Sequence, residues 1–215
     1  KISWLNSLVA LPLLITMACD VLSRSFDLSS GLAMRLAEAQ RMATGQLPYL
    51  DFFSLESNFA LYLSGLPLAF NQFLYKSFHL FVPLTLLAKS MILFLLVLSL
   101  MVSLLILRKS ANGDLYRYFA ICFLLGNYLV RFEFGELQHL FLLFALPFML
   151  ARWLTYQSMP VKSWLMVLSA LMALCGVLLD PYFLLIWLVF ELVLTLYYGR
   201  CAYVGALVFG ALALF

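Results

Sequence analysis

The chain has 215 residues, 66% of them hydrophobic and 11% charged, with a formal net charge of +3. Soluble domains carry roughly 25% charged residues, so the composition excludes an ordinary soluble globular domain and describes a polytopic membrane protein, all-α in class. The charge is too small and scattered to imply a nucleic-acid partner, and Cys19, Cys122, Cys175 and Cys201 sit in or beside apolar runs without metal-type spacing.

A helical span needs about 20 mostly apolar residues, so the chain has room for about seven spans around one long polar loop. It reads as a single membrane module over residues 1–215 and, opening at Lys1 and stopping at Phe215 inside an apolar run, as a piece of something longer. Residues 2–22 form the first span, too long for a signal-peptide core. They lead into a polar first loop over residues 23–78, the one stretch that hydrophobicity alone does not explain. There Asp27, Ser29 and Ser30 supply N-cap chemistry for a helix over residues 31–44, and Gly45 supplies its stop. Leu32, Leu36 and Ala39 or Ala43 share one face of that helix, while Arg35, Glu38 and Arg41 are assigned to another, as in an amphipathic helix lying in the membrane interface.

Residues 58–78 are nearly long enough to cross but contain Pro67, Asn71 and Gln72. Positive charge arbitrates. If this segment only dips into the interface, spans follow over residues 82–107, 118–130, up to residue 150, 164–179, 183–198 and from 203 onward. Lys1, Arg108, Lys109, Arg117, Arg152, Lys162 and Arg200 then all lie inside, the usual bias, whereas a crossing puts six of these seven outside. The dipping topology is therefore preferred. It brings Asp27, Glu56, Glu136, His139 and Asp180 to one extracytoplasmic surface.

The order of features is informative. An acid (Asp27) opens the first loop, a helix and the turn Gly45-Gln46-Leu47-Pro48-Tyr49-Leu50-Asp51 follow, and Glu56 enters the next apolar segment. Two later stretches, FGELQHLFLLFALPFML over residues 134–150 and DPYFLLIWLVFELVL over residues 180–194, complete the pattern. Together these resemble the GT-C glycosyltransferases of the protein O-mannosyltransferase and aminoarabinose-transferase type. The resemblance implies a multi-span enzyme of the cytoplasmic (inner) membrane that takes a sugar from a polyprenyl-phosphate donor. It would add that sugar, with inversion, to an acceptor on the extracytoplasmic side. Asp27 matches the family's first-loop acid, the base expected to deprotonate the acceptor hydroxyl, and Glu56 the second acid of the same site. Tyr49, Asp51, Arg131, Glu136 and His139 are the expected substrate-binding residues. The chain departs from the family pattern at Leu28, at Ser57-Asn58, at Leu137 and Gln138, and at Asp180. These departures motivate the alternative of a catalytically degenerate, GT-C-like accessory subunit of a larger membrane complex.

The chemistry has its own demands. A carboxylate near an interface serves as base when burial and a second acid tune it, and Asp27 competes as a helix cap. A leaving phosphate wants a fixed cation, for which Arg131 comes first, with Lys76, Arg35 and Arg41 also available and headgroup snorkelling the simpler role. Glu136 and His139, three apart, would share a helical face and could hold a divalent cation or touch phosphate, though two ligands do not make a metal site. Asp180 before Pro181 reads as a helix cap, and Glu191 and Lys89, inside predicted spans, could pair with each other.

Overall fold

The computed structural model describes residues 7–23, 29–52, 54, 56–108, 113–129, 134–159 and 161–199. Among these are eight helices: α1 (Ser7–Ser23), α2 (Ser30–Ala43), α3 (Asn58–Phe78), α4 (Leu84–Leu107), α5 (Gly113–Leu129), α6 (Leu137–Tyr156), α7 (Ser163–Leu179) and α8 (Tyr182–Tyr198). The described residues are all-α, with one isolated bridge between Pro48 and Phe52 and no strand. Of the helices, α4 and α6 are long and apolar enough to cross a membrane. Asp27, Arg131, the charges at Lys1, Lys109 and Arg200, and the outward segment from residue 203 lie outside the described residues.

Local chemistry sets the ends of the two polar-loop helices. Ser29 accepts a hydrogen bond from the Leu32 N–H and starts α2, and Ser57 accepts from the Ala60 N–H and starts α3. α2 stops at Thr44, after which Gly45 takes a φ of +91°, a left-handed turn that a side chain would resist. α3 runs on through Pro67 and ends at His79, itself left-handed at φ 54°.

The helix directions follow from a few contacts. A Cβ placed on Gly135, just before α6, would come within 2.6 Å of Ile92 on α4, and His139 on α6 is hydrogen-bonded to Asn127 near the end of α5. Ile92, Asn127 and Gly135 therefore share one level. From that level α4 and α6 pack side by side and stay buried as far as Leu107 and Tyr156, so they run the same way, and α5 returns against α1 and α4. α7 runs back, its Gly176 facing Phe144 and Phe141 of α6, and ends beside the start of α6. α2 and α3 sit at this same end, α2 against Gly135 and Glu136, and α3 against α2, α4 and α7.

This connectivity bears on residues 58–78. Glu56, just before α3, contacts Arg35 at the Gly135 level, and Val82, just after it, leads into the start of α4. Both ends of α3 thus lie at the end of the bundle where α4 and α6 begin. The reversal is fastened by Asn71, whose amide nitrogen donates to the Val82 carbonyl at 2.9 Å while its oxygen accepts from the Val82 N–H at 3.2 Å.

Two assignments from the pattern are corrected. Arg35 and Glu38 are buried together with Leu32, Leu36 and Ala39, not on an outer polar face of α2. Helical spacing explains this, because Arg35 stands three residues from Leu32 and four from Ala39, which is the same side of the helix. Arg152 does not flank a span that ends at residue 150: α6 continues to Tyr156 and Arg152 is wholly buried within it.

Candidate site at the end of the helix bundle

Arg35 is the centre of the polar cluster. Its side chain is 1% exposed, yet it carries a charge that must be compensated when taken out of water. One guanidinium nitrogen donates to Glu56 at 3.3 Å and lies 4.0 Å from Glu136, and the other donates to the Gly135 carbonyl. Three segments far apart in sequence, around residues 35, 56 and 135, thus meet at one cation. The Arg35 Nε has no hydrogen-bond partner among the described residues.

Glu56 is held at three points. Its N–H donates to Ser54 at 3.1 Å, its carbonyl accepts from the Tyr49 hydroxyl at 2.6 Å, and its carboxylate takes Arg35. Ser54 in turn donates to the buried Glu38 carboxylate at 2.7 Å, which ties the loop to α2. The Glu56 side chain keeps 15% exposure, so it stands at the edge of the protein interior with its backbone fixed. Such a carboxylate is positioned before any ligand arrives.

Glu136 occupies the N-cap position of α6 with extended backbone, φ −63° and ψ 160°. Its carboxylate leans away from α6 to accept the Gly31 N–H at 3.1 Å, compensating the positive start of α2. A Cβ on Gly31 would press on the Glu136 carboxylate, which would have to shift. Gly135 is constrained twice over: its φ is +88°, and a Cβ would lie 2.6 Å from Ile92 and 2.9 Å from Leu32.

His139 is committed elsewhere. The Gly135 N–H donates to Nδ1 at 3.2 Å, so the proton sits on Nε2, which donates to Asn127 Oδ1 at 2.8 Å; the Asn127 amide donates onward to the Phe123 carbonyl at 2.7 Å. A neutral, buried His139 anchors the Gly135 turn. Glu136 and His139 turn to different partners, the carboxylate to Gly31 and Arg35 and the imidazole to Gly135 and Asn127. Among the described residues no group of three or more His, Cys, Asp or Glu is placed to hold a metal ion.

The other expected residues have local roles. Asp51 accepts the Leu47 N–H at 2.7 Å and closes the turn. Tyr49 takes a φ of +65°, held by the hydroxyl bond to Glu56 and by its N–H donating to the Phe52 carbonyl at 2.8 Å. Asp180 accepts the Tyr182 N–H at 2.9 Å and starts α8. Arg41 is exposed, packs over the Phe52 ring at 5.6 Å and, with Ala37, Gln40, Thr44, Gln46 and Asp51, lines a shallow open depression on the outer side of α2. Arg35, expected among cations free for phosphate, is instead flanked by two carboxylates.

No family model, curated protein or solved structure matches the chain.

A second charged cluster lies deeper in the bundle. Arg152 Nε and Nη2 donate to the two oxygens of Glu191 on α8, at 2.5 and 2.9 Å, and the Tyr156 hydroxyl donates to Glu191 at 2.8 Å and pairs with Thr195 at 3.0 Å. Glu191 therefore pairs with Arg152, where the sequence had left a pairing with Lys89 open. The residues that pattern reading missed are Ser54, Glu38 and Asn127, each polar and buried. Their signal was a polar residue inside an apolar or turn segment with no solvent-facing reason to be there.

Proposed function

We propose that this chain is the membrane module of a GT-C-type glycosyltransferase, with about seven spans in a bacterial-type cytoplasmic membrane. It transfers a sugar from a polyprenyl-phosphate donor to an acceptor at the extracytoplasmic face. The observation that carries the reading is the convergence at Arg35. The three stretches through which the sequence resembles that family near its site, the first-loop helix, the second acid Glu56 and the Gly135-Glu136 segment, meet there although they are far apart in the chain. In this reading α1, α4, α5, α6, α7 and α8 cross the membrane, α2 and α3 stay at the outer surface, and Glu56 is the fixed carboxylate of the site. Asp27, two residues before the Ser29 cap, is the acceptor-activating base, and a divalent cation is an optional companion of the leaving phosphate.

The test is sugar transfer by full-length protein in detergent, with a panel of polyprenyl-phosphate sugars and with membrane and protein acceptors. Asp27→Asn is expected to abolish transfer while leaving the thermal midpoint unchanged. Undiminished turnover in that variant would remove Asp27 from the mechanism.

One observation favours a second reading, an accessory subunit that keeps the architecture without the chemistry. Glu56 and Glu136 are both engaged in holding the loop and α2 together, one on Arg35 and the other on Gly31. This reading predicts stable co-purification with a larger assembly and no transfer from any donor.

A further inference from the structure

Tyr49 is held in a conformation that its own backbone disfavours. Its φ is +65°, in the left-handed region that a residue with a Cβ rarely adopts. Two ties keep it there: its N–H donates to the Phe52 carbonyl at 2.8 Å, and its hydroxyl donates to the Glu56 carbonyl at 2.6 Å. Strain of this kind persists only where the surrounding structure fixes it, and it concentrates at ligand contacts. The turn uses the two ends of the residue and leaves the ring between them. Tyr49 is 54% exposed although its hydroxyl is engaged, more than the rim of the ring alone supplies, so a face of the ring is open. Among the described residues no other ring and no cation covers it, whereas the neighbouring Phe52 ring lies under Arg41.

The hydroxyl bond also sets what stands beside the ring. It ends on the carbonyl of Glu56, so the carboxylate of the same residue is within a side chain's length of the ring edge. That carboxylate has one oxygen to spare. Oε1 accepts from Arg35 at 3.3 Å, Oε2 accepts from no described residue, and the side chain keeps 15% exposure. Ser54 and Arg35 fix the acceptor and the two ties fix the ring, so neither has to be ordered when a ligand arrives. Their demands are complementary. The face carries the negative side of the ring quadrupole and attracts the weakly positive C–H bonds of a saturated ring, while the carboxylate accepts an O–H. A pyranose offers both, in one face of C–H bonds and a rim of hydroxyls.

We propose that Tyr49 and Glu56 form the sugar subsite: the C–H face of a pyranose stacks on the Tyr49 ring while one of its hydroxyls donates to Glu56 Oε2. Tyr49 thereby sets the affinity for the sugar of the donor. The inference rests on the glycosyltransferase reading above.

The test compares carriers with and without a sugar. Full-length protein in detergent is titrated with radiolabelled polyprenyl phosphate and with a panel of its pyranosyl derivatives, covering hexoses, N-acetylhexosamines and pentopyranoses. The ratio of the bare carrier's Kd to that of each glycosylated carrier isolates the contribution of the sugar. The unaltered protein is expected to favour at least one glycosylated carrier by about tenfold, the scale of one good aromatic contact. Tyr49→Phe and Tyr49→Trp keep a ring and should retain that preference within about threefold, whereas Tyr49→Leu should abolish it. Leu47 and Leu50 on the same turn are exposed too, so the leucine variant separates a ring from mere apolarity. A second measurement uses the unaltered sequence, in protein deuterated except at its tyrosines. Saturating the tyrosine rings by NMR should attenuate the C–H signals of the bound sugar, and should no longer do so in Tyr49→Phe. Absence of attenuation in the unaltered protein would overturn the inference. So would a preference that survives Tyr49→Leu, or one that Tyr49→Phe abolishes as fully as leucine does, which would mark Tyr49 as a tie of the turn alone. In those cases the sugar preference of the unaltered protein leaves the glycosyltransferase reading standing. An unaltered protein that binds no glycosylated carrier better than the bare one would refute that reading, and this inference with it.

Discussion

Replacing Arg35 with methionine tests what holds the polar loop to the bundle. The variant keeps most of the buried volume but removes the donor to the Gly135 carbonyl and the cation between Glu56 and Glu136. Leaving a buried carbonyl unsatisfied costs about 1–3 kcal/mol. Removing one partner of a buried ion pair costs about 3–5 kcal/mol when the other stays buried. Glu56 and Glu136 keep 15% and 22% exposure and can draw in water, so the lower end, about 3 kcal/mol in total, is the expectation. At about 2–4 °C per kcal/mol for a chain of this size, the thermal midpoint should fall by roughly 6–12 °C. Intrinsic tryptophan fluorescence of the detergent-purified protein reads the transition. Glu56→Gln, which keeps an acceptor for Arg35, should cost about 1 kcal/mol, and the double variant less than the sum of the two, because the residues share one interaction. An Arg35→Met midpoint equal to the unaltered protein's, or strictly additive losses, would refute a structural role for the cluster.

Gly135→Ala should lower the midpoint further than Gly31→Ala. The first forces a left-handed backbone and meets Ile92 and Leu32, whereas the second meets only the movable end of Glu136. The same fluorescence melts rank the two, and the reverse order would contradict the geometry. Deeper in the bundle, Arg152→Met and Glu191→Leu should each be strongly destabilising, by about 3–5 kcal/mol, while the double variant recovers much of the loss. Asn127→Leu leaves the His139 Nε2–H without an acceptor and should cost about 1–3 kcal/mol, visible as a lower midpoint and faster proteolysis of the Gly135 turn.

Much of the architecture was legible because helix caps and apolar runs are local. The Ser29 cap, the Gly45 stop and the starts of α7 and α8 follow from residues a few positions apart. What was not legible depends on distant partners. Nothing near Arg152 announces that Glu191, 39 residues on, lies against it, so a basic residue near the end of an apolar run read as a cytoplasmic flank. Arg35 was misassigned for a nearer reason. Grouping it with Glu38 and Arg41 by charge overrode the helical spacing that puts it beside Leu32 and Ala39, and only the carboxylates of Glu56 and Glu136 make its burial tolerable. Glu136 and His139 were paired by their spacing of three, which does not tell that Gly31 takes the one and Asn127 the other.

The most direct measurement of the proposed site is photo-crosslinking of full-length protein with a polyprenyl phosphate carrying a benzophenone near its phosphate, followed by mapping of the labelled peptides. Labelling confined to peptides from residues 29–58 and 134–140, and competed away by unmodified polyprenyl phosphate, is the predicted result. Labelling spread over the other helices and unaffected by competitor would contradict a donor site at the Arg35–Glu56 cluster.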